Sequence, residues 1–357
     1  MTRPLPVAAT IGILGDGQLG RMLSVAAAKL GFNVSILGPQ ANSPASRVSK
    51  VSVIADYTDI DTVIAWARTC DVVTYEFENV PVETAEALTA AEIIVRPGAK
   101  PLEVAQDRVT EKFFLRDCGI ATADFAVIEQ ATQIETPLKD FGGRGILKTR
   151  RDGYDGKGQV RLVSGDDYEA AHRALGHAPC VLEALVPFER EISVLIARGA
   201  DGQTAVWDCP ENSHVNGILR RSNVPAQVSG VTIEAVRDAA IKLAEALDYI
   251  GVLALEFFVL PDGSLVANEF APRVHNSGHW TPEACATGQF EQHIRAVAGW
   301  PLGPVMRFHD VEMENLLGEE AEDIRDDLAA GHSVTLYGKR KVKAGRKMGH
   351  IVKRSAP

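Results

Sequence analysis

The chain has 357 residues, 46% of them apolar, and a formal net charge of −10, which allows roughly two or three domains and disfavours a general nucleic-acid binder. No stretch approaches the roughly 18 uninterrupted apolar residues of a membrane span, and "MTRPLPVAATIGIL" is too short ahead of its first strand to read as a secretory signal. Five cysteines at 70, 118, 180, 209 and 285, with no C-x-x-C pair, argue against a disulfide framework or zinc site and for a reducing cytoplasm.

The first hundred residues alternate short apolar strands (11–14, 34–37, 51–54, 72–77 and 93–95) with helices (21–30, 59–69 and 82–90). Alternation of this kind predicts a parallel sheet covered by helices. A helix over 111–118 follows. Strands over 145–150, 159–163, 191–197 and 203–207, a long helix over 233–247, strands over 252–260 and 264–270, and a helix near 289–297 come next. The stretch after Trp300 reads as a small β-rich cap. Three consecutive units result: a Rossmann-like domain over 1–108, a second domain over 109–300 with a lid near 120–187, and the cap over 301–357.

The first strand runs into Gly15-x-Gly17-x-x-Gly20, the layout of a dinucleotide turn. Such a site needs an acidic residue about 20 positions further on to hold the ribose, yet no Asp or Glu stands between Asp16 and Asp56. A tight turn that exploits glycine's freedom and a helix N-terminus holding some other phosphate remain as alternatives to a nicotinamide cofactor.

Three later features carry more chemistry. The segment 152–158 places three glycines and Lys157 between strands, just after Lys148, Arg150 and Arg151. Glycine turns aim backbone N–H groups at phosphate and cations supply the countercharge; an ordinary glycine-rich turn is the alternative. In "VLALEFFVLPDGSLVANEF" a two-residue turn at Asp262-Gly263 pairs Glu256 directly with Glu269. Paired like charges are destabilising unless something neutralises them, and a divalent cation does so; a three-residue loop with a bulge would instead put the two glutamates on opposite faces. Beyond this strand "NEFAPRVHNSGHWT" crowds Arg273, His275, Asn276, His279 and Trp280 together, either a substrate-facing loop or a satisfied structural network. Eight Lys or Arg and no acid lie between Lys339 and Arg354, either a solvated face or a site for a phosphorylated ligand.

Together "GDGQLGRML", "TYEFENVP", "DRVTEKFFL", "GYDGKGQ", "LALEFFV", "ANEFAPRVHNSGHWT" and "AGRKMGH" resemble the ATP-grasp superfamily and, within it, the 5-(carboxyamino)imidazole ribonucleotide synthetases. The resemblance implies a cytoplasmic, homodimeric ligase of purine biosynthesis that uses ATP, Mg²⁺ (or Mn²⁺), bicarbonate and aminoimidazole ribonucleotide. It implies ATP contacts from Arg108, Lys148 and a closing loop of Gly153, Tyr154, Asp155, Gly156, Lys157, Gly158 and Gln159. An adenine hinge of Glu183, Ala184, Leu185 and Val186, a ribose contact at Glu191, and His214 and Asn268 complete the nucleotide side. Glu256 and Glu269 match the metal ligands. Gln18, Glu76, Tyr154, Asp155, Arg273, His275, Asn276, Arg346 and Lys347 match the substrate side, with Arg273, Lys347, Asp155 and His275 catalytic. Asp16 and Lys343-Ala344 depart from the family pattern.

Overall fold

The computed structural model describes residues 3–153 and 157–354; Tyr154, Asp155 and Gly156 of the expected closing loop lie outside them. The N-terminal unit is the predicted α/β layer. Strands β1 (Thr10–Leu14), β2 (Asn33–Gly38), β3 (Val51–Ile54) and β4 (Val72–Tyr75) form a parallel sheet in the order β3-β2-β1-β4. Helices α1 (Gln18–Lys29), α2 (Ile60–Ala67) and α3 (Val82–Ala90) provide the crossovers. The run expected as a strand at 93–95 is reduced to a single bridge, Val73 to Val95.

Helices α4 (Ala99–Ala105) and α5 (Arg108–Asp117) lead into the lid. Asp107 caps α5 by accepting from the N–H groups of Val109 and Thr110, and its carboxylate also takes Arg150 at 2.9 Å. The helix start is thereby tied to the lid. There β5 (Phe125–Ile128), β6 (Arg144–Thr149), β7 (Gln159–Val163) and β8 (Cys180–Ala184) make an antiparallel sheet in the order β5-β8-β6-β7. Its core is separate: Ile128, Ile134, Leu138, Leu147 and Leu182 pack together.

The largest sheet is antiparallel and joins the last two units. It holds β9 (Arg190–Arg198), β10 (Thr204–Val206), β11 (Glu211–Val215), β12 (Ile218–Val224), β13 (Gly251–Val259) and β14 (Leu265–Ala271). The strands β15 (Val311–Leu317), β16 (Ser333–Leu336) and β17 (Lys347–Arg354) continue it through a β12–β15 pairing. The C-terminal cap is thus an extension of the central sheet, and that pairing carries its basic segment back over the middle of the molecule. One buried cluster unites Leu23 of the first unit, Trp207, Trp280 and Ile294 of the second, and Met313 and Val352 of the third. A continuous core of that kind holds the three units as one packed body.

Candidate active site

At the first glycine turn, Gly15 has φ +123°, a conformation only glycine adopts readily, and a Cβ there would run into Cγ of Glu76. Glu76 follows β4, and its two carboxylate oxygens accept the N–H groups of Gly17 and Gly20 at the start of α1. The helix N-terminus, which favours an anion, has the protein's own carboxylate as its ligand. Burial pushes the Glu76 carboxyl up to about 7 against those two hydrogen bonds. Asp16 points away from the turn, accepting from the Gln40 N–H at 2.9 Å. A dinucleotide pyrophosphate has no seat here.

A cavity of about 1640 Å³ opens between the lid, the central sheet and the C-terminal strands. Among the sequence-predicted residues it brings together Arg108, Lys148, Gly153, Lys157, Gln159, Glu183, Ala184, Leu185, Val186, Glu191, His214, Asn268 and the metal pair on the nucleotide side. From the substrate side come Gln18, Glu76, Arg273, His275, Asn276, Arg346 and Lys347. Gly158 has φ +70° and lies in the turn joining β6 to β7, its carbonyl accepting from the Thr149 N–H at 2.9 Å.

On the lid side Glu183 is buried between Lys148 at 2.9 Å and Lys112 at 3.2 Å. Burial presses its carboxyl upward, yet Lys148 and then Lys112 outweigh that and hold it at about 2. Arg108 spans the cavity floor: one guanidinium nitrogen donates to Glu269 at 3.0 Å and another to the Gly153 carbonyl at 3.1 Å. Phe188 and Phe258 stack at 4.4 Å and 16° beside Leu185, an apolar wall suited to a flat ring. The sequence reading missed Lys112, Phe188 and Phe258. Lys112 carried a signal, a lysine one turn into the matched string "DRVTEKFFL".

The carboxylate hairpin forms with a corrected turn. The loop has three residues, Pro261–Gly263, closed by the Gly263 N–H to the Leu260 carbonyl at 2.8 Å, with Gly263 at φ +82°. Beside it Val259 pairs with Leu265 and Phe257 with Ala267, one step off the register of a two-residue turn. A β-bulge restores that register. Pairing jumps to Leu255 with Phe270, so Asn268 and Glu269 together oppose Glu256. The two glutamates therefore share the cavity, and the expectation that a three-residue loop with a bulge puts them on opposite faces is overturned, because the bulge falls at Asn268-Glu269 itself and shifts the register back.

Glu191 of β9 lies diagonally from Glu256, and burial, then Glu191, then Glu269 raise the Glu256 carboxyl well above its usual value. Carboxylates crowded closely enough to raise one another suit a divalent cation. Among the described residues no group of three or more His, Cys, Asp or Glu makes a metal cage by itself. A site of two carboxylates completed by ligand phosphates is the chemistry Mg²⁺ favours. His214 stands 3.1 Å from Glu191.

Beside this wall, Arg273 is clamped by Glu78, whose Oε1 accepts from Nη2 at 2.8 Å while Oε2 takes Nε. Burial would raise the Glu78 carboxyl, but Arg273 dominates and sets it at about 2. Glu78 was not foreseen, although it lies two residues from Glu76 in "TYEFENVP". His275 is pushed down to about 3 by burial, then by Arg273 and Lys347, which keeps the imidazole neutral. Both amide atoms of Asn276 are buried without a hydrogen-bond partner among the described residues, as expected where a ligand supplies the partner. Lys339, Lys341, Lys343, Arg346 and Lys347 line this end, so the basic run faces the cavity. The departure at Lys343-Ala344 is accommodated in a turn closed by the Arg346 N–H to the Lys343 carbonyl at 3.0 Å.

Three family models match the chain: a ribonucleotide synthetase preATP-grasp domain over residues 8–106, an ATP-grasp domain over 113–290 and a phosphoribosylaminoimidazole carboxylase C-terminal domain over 312–355. The N5-carboxyaminoimidazole ribonucleotide synthase of Brucella melitensis is 53% identical over 347 residues, 96% of each chain. An ADP complex of an N5-carboxyaminoimidazole ribonucleotide synthetase superposes with TM-score 0.95 at 40% identity, covering 99% of this chain and 94% of that one. The enzyme from Aspergillus clavatus in complex with ADP and 5-aminoimidazole ribonucleotide gives 0.91 at 30% identity, covering 98% and 94%. With its three matched domains in family order and its identity spread over nearly its whole length, the chain belongs to the N5-carboxyaminoimidazole ribonucleotide synthases, ligases of the ATP-grasp superfamily.

Proposed function

We propose that the cavity couples ATP cleavage to carboxylation of the exocyclic amine of aminoimidazole ribonucleotide by bicarbonate, in purine biosynthesis. One observation carries the assignment of roles: a carboxylate wall with Lys148 and Arg108 near it, and an arginine, a neutral histidine 3.5 Å from that wall, an asparagine unpartnered among the described residues and a basic segment, meet in one cavity. Relatives with ADP, and with ADP plus the ribonucleotide, support both halves.

Lys148 and Arg108 neutralise the ATP phosphates, the stretch Glu183 to Val186 reads adenine beside Phe188, and Glu191 with His214 holds the ribose. Glu256 and Glu269 hold Mg²⁺, which supplies countercharge to the phosphates. A bicarbonate oxygen attacks the γ-phosphorus and ADP leaves, giving carboxyphosphate. Its carboxyl group passes to the amine as CO₂, and the released phosphate takes the amine proton. Positioning and charge neutralisation dominate such transfers, so no protein nucleophile is required. Arg273 and His275 steady the anion; Asn276, Arg346 and Lys347 hold the ribonucleotide and its phosphate, with Gln18 beside them. Domain limits at 108 and 300, a cytoplasmic location and a homodimer complete the proposal; among the described residues no helix is long and apolar enough to cross a membrane.

The test is ADP release with Mg-ATP and bicarbonate, with and without aminoimidazole ribonucleotide, for the parent protein and Glu269→Gln. Release that rises sharply with the ribonucleotide and collapses in the variant is expected. Indifference to the ribonucleotide, with activity on formate and glycinamide ribonucleotide instead, would overturn the proposal.

A further inference from the structure

Behind His275 lies a row of polar side chains that the reaction itself does not use. Nδ1 of His275 meets the Ser277 hydroxyl at 2.8 Å and the Ser277 backbone N–H at 3.3 Å. A backbone N–H can only donate, so Nδ1 can only accept, and the single proton of the neutral ring sits on Nε2. Nε2 lies 3.5 Å from Oε1 of Glu256, at the cavity. The row continues inward: Ser193 donates to the Ser277 hydroxyl at 2.7 Å, the Asn212 amide donates to Ser193 at 3.0 Å, and Ser222 donates to the Asn212 carbonyl oxygen at 2.7 Å. These last three stand on the adjacent strands β9, β11 and β12. Ser193, Ser222 and Ser277 are fully buried, where an unmade hydrogen bond is expensive. Because Asn212 spends an N–H on Ser193, the Ser193 proton goes on to Ser277 and the Ser277 proton to His275. All protons between Asn212 and the ring point one way.

We infer that Ser277, Ser193, Asn212 and Ser222 form a proton-ordered row that fixes His275 as its Nε2–H tautomer, so the site presents a hydrogen-bond donor to the anion formed from bicarbonate. The inference rests on the reading of His275 as an anion contact given above; the ordering itself rests on hydrogen-bond geometry alone. The four side chains are positioning residues. Each neutral imidazole nitrogen is either donor or acceptor, and an acceptor aimed at an anion repels it.

Asn212→Asp is the decisive substitution, since it keeps the shape and reverses the row. An aspartate accepts from Ser193, which then accepts from Ser277, so the Ser277 hydroxyl no longer donates to Nδ1 and only the longer Ser277 backbone N–H, at 3.3 Å, still favours the Nε2–H ring over an Nδ1–H that donates to the hydroxyl. Ser277→Ala instead removes the main donor to Nδ1. The full-length protein, labelled with ¹⁵N-histidine, reports directly which ring nitrogen is protonated, and steady-state kinetics runs beside it. The parent protein is expected to show the proton of His275 on Nε2, Asn212→Asp to move population to Nδ1, and both variants to lower kcat by about ten- to a hundredfold with the KM for ATP unchanged. A parent spectrum with the proton on Nδ1, or an Asn212→Asp spectrum identical to the parent's, overturns the inference. His275→Gln with undiminished turnover would overturn the anion contact, while the spectra still decide the ordering.

Discussion

Two glycine-rich turns in this chain look alike as strings and differ as sites. The turn at Gly15–Gly20 is closed: Glu76, brought from 59 residues away at the end of β4, takes the helix N–H groups that a phosphate would need. The described ends of the segment between β6 and β7 are arranged the other way. Lys148 and Arg108 converge beside it on a large cavity, and Gly153 is neighboured by the Arg108 guanidinium. Glycine spacing therefore reports that a backbone turns tightly and approaches something closely. Which partner it approaches is decided by residues far along the chain.

The largest effect is expected beside the segment that joins β6 to β7. Lys148→Ala is expected to lower kcat/KM for ATP by about a hundredfold or more with little change in Tm, since Lys112 still pairs with Glu183. The same loss at the closed turn with a normal nucleotide side would contradict it. Gly15→Ala should do the opposite, costing about 2–4 kcal/mol of stability through strain and overpacking while the folded fraction keeps its KM for ATP; urea unfolding and initial-rate kinetics measure the two arms.

Beside the closed turn, Glu78→Gln tests the clamp on Arg273. The Glu78 carboxyl sits at about 2 rather than its usual 4.5, so its contribution is complete above pH 4.5 and is lost as pH falls from there through 2. The gap in unfolding free energy between parent and variant should reach at most about 3 kcal/mol at neutral pH and close over that window. A gap independent of pH in urea titrations would remove Glu78 from the account. Lys347→Ala sharpens the substrate end, raising the KM for the ribonucleotide about tenfold or more with ATP binding nearly intact; equal damage to both constants would sink the assignment. Smallest of all, Lys29→Ala removes an exposed pair with Glu291 at the far end of α1 and should shift stability by less than about 1 kcal/mol.

Much of the site was legible because its signals are local. Alternating strands and helices marked the first unit, and "APRVHNSGHWT" with Glu256 and Glu269 marked the cavity. The hairpin shows the limit of such reasoning. A two-residue turn and a three-residue loop with a compensating bulge both leave the glutamates together, and only the second exists. What stayed hidden is long-range. Arg273 and Glu78 lie 195 residues apart, and Ser193, Asn212 and Ser222 acquire meaning only when three strands align them behind Ser277. Strand pairing also decided the fate of the C-terminal segment, since the β12–β15 register turns an expected cap into the cavity's basic rim.

The measurement that bears most directly on the two glycine-rich segments is a crystal structure of the full chain grown with Mg-ADP. The diphosphate is expected beside Lys148 and Arg108, the metal on Glu256 and Glu269, and Glu76 still bonded to Gly17 and Gly20. A diphosphate seated on the Gly17 and Gly20 N–H groups, with Glu76 displaced, would contradict this expectation.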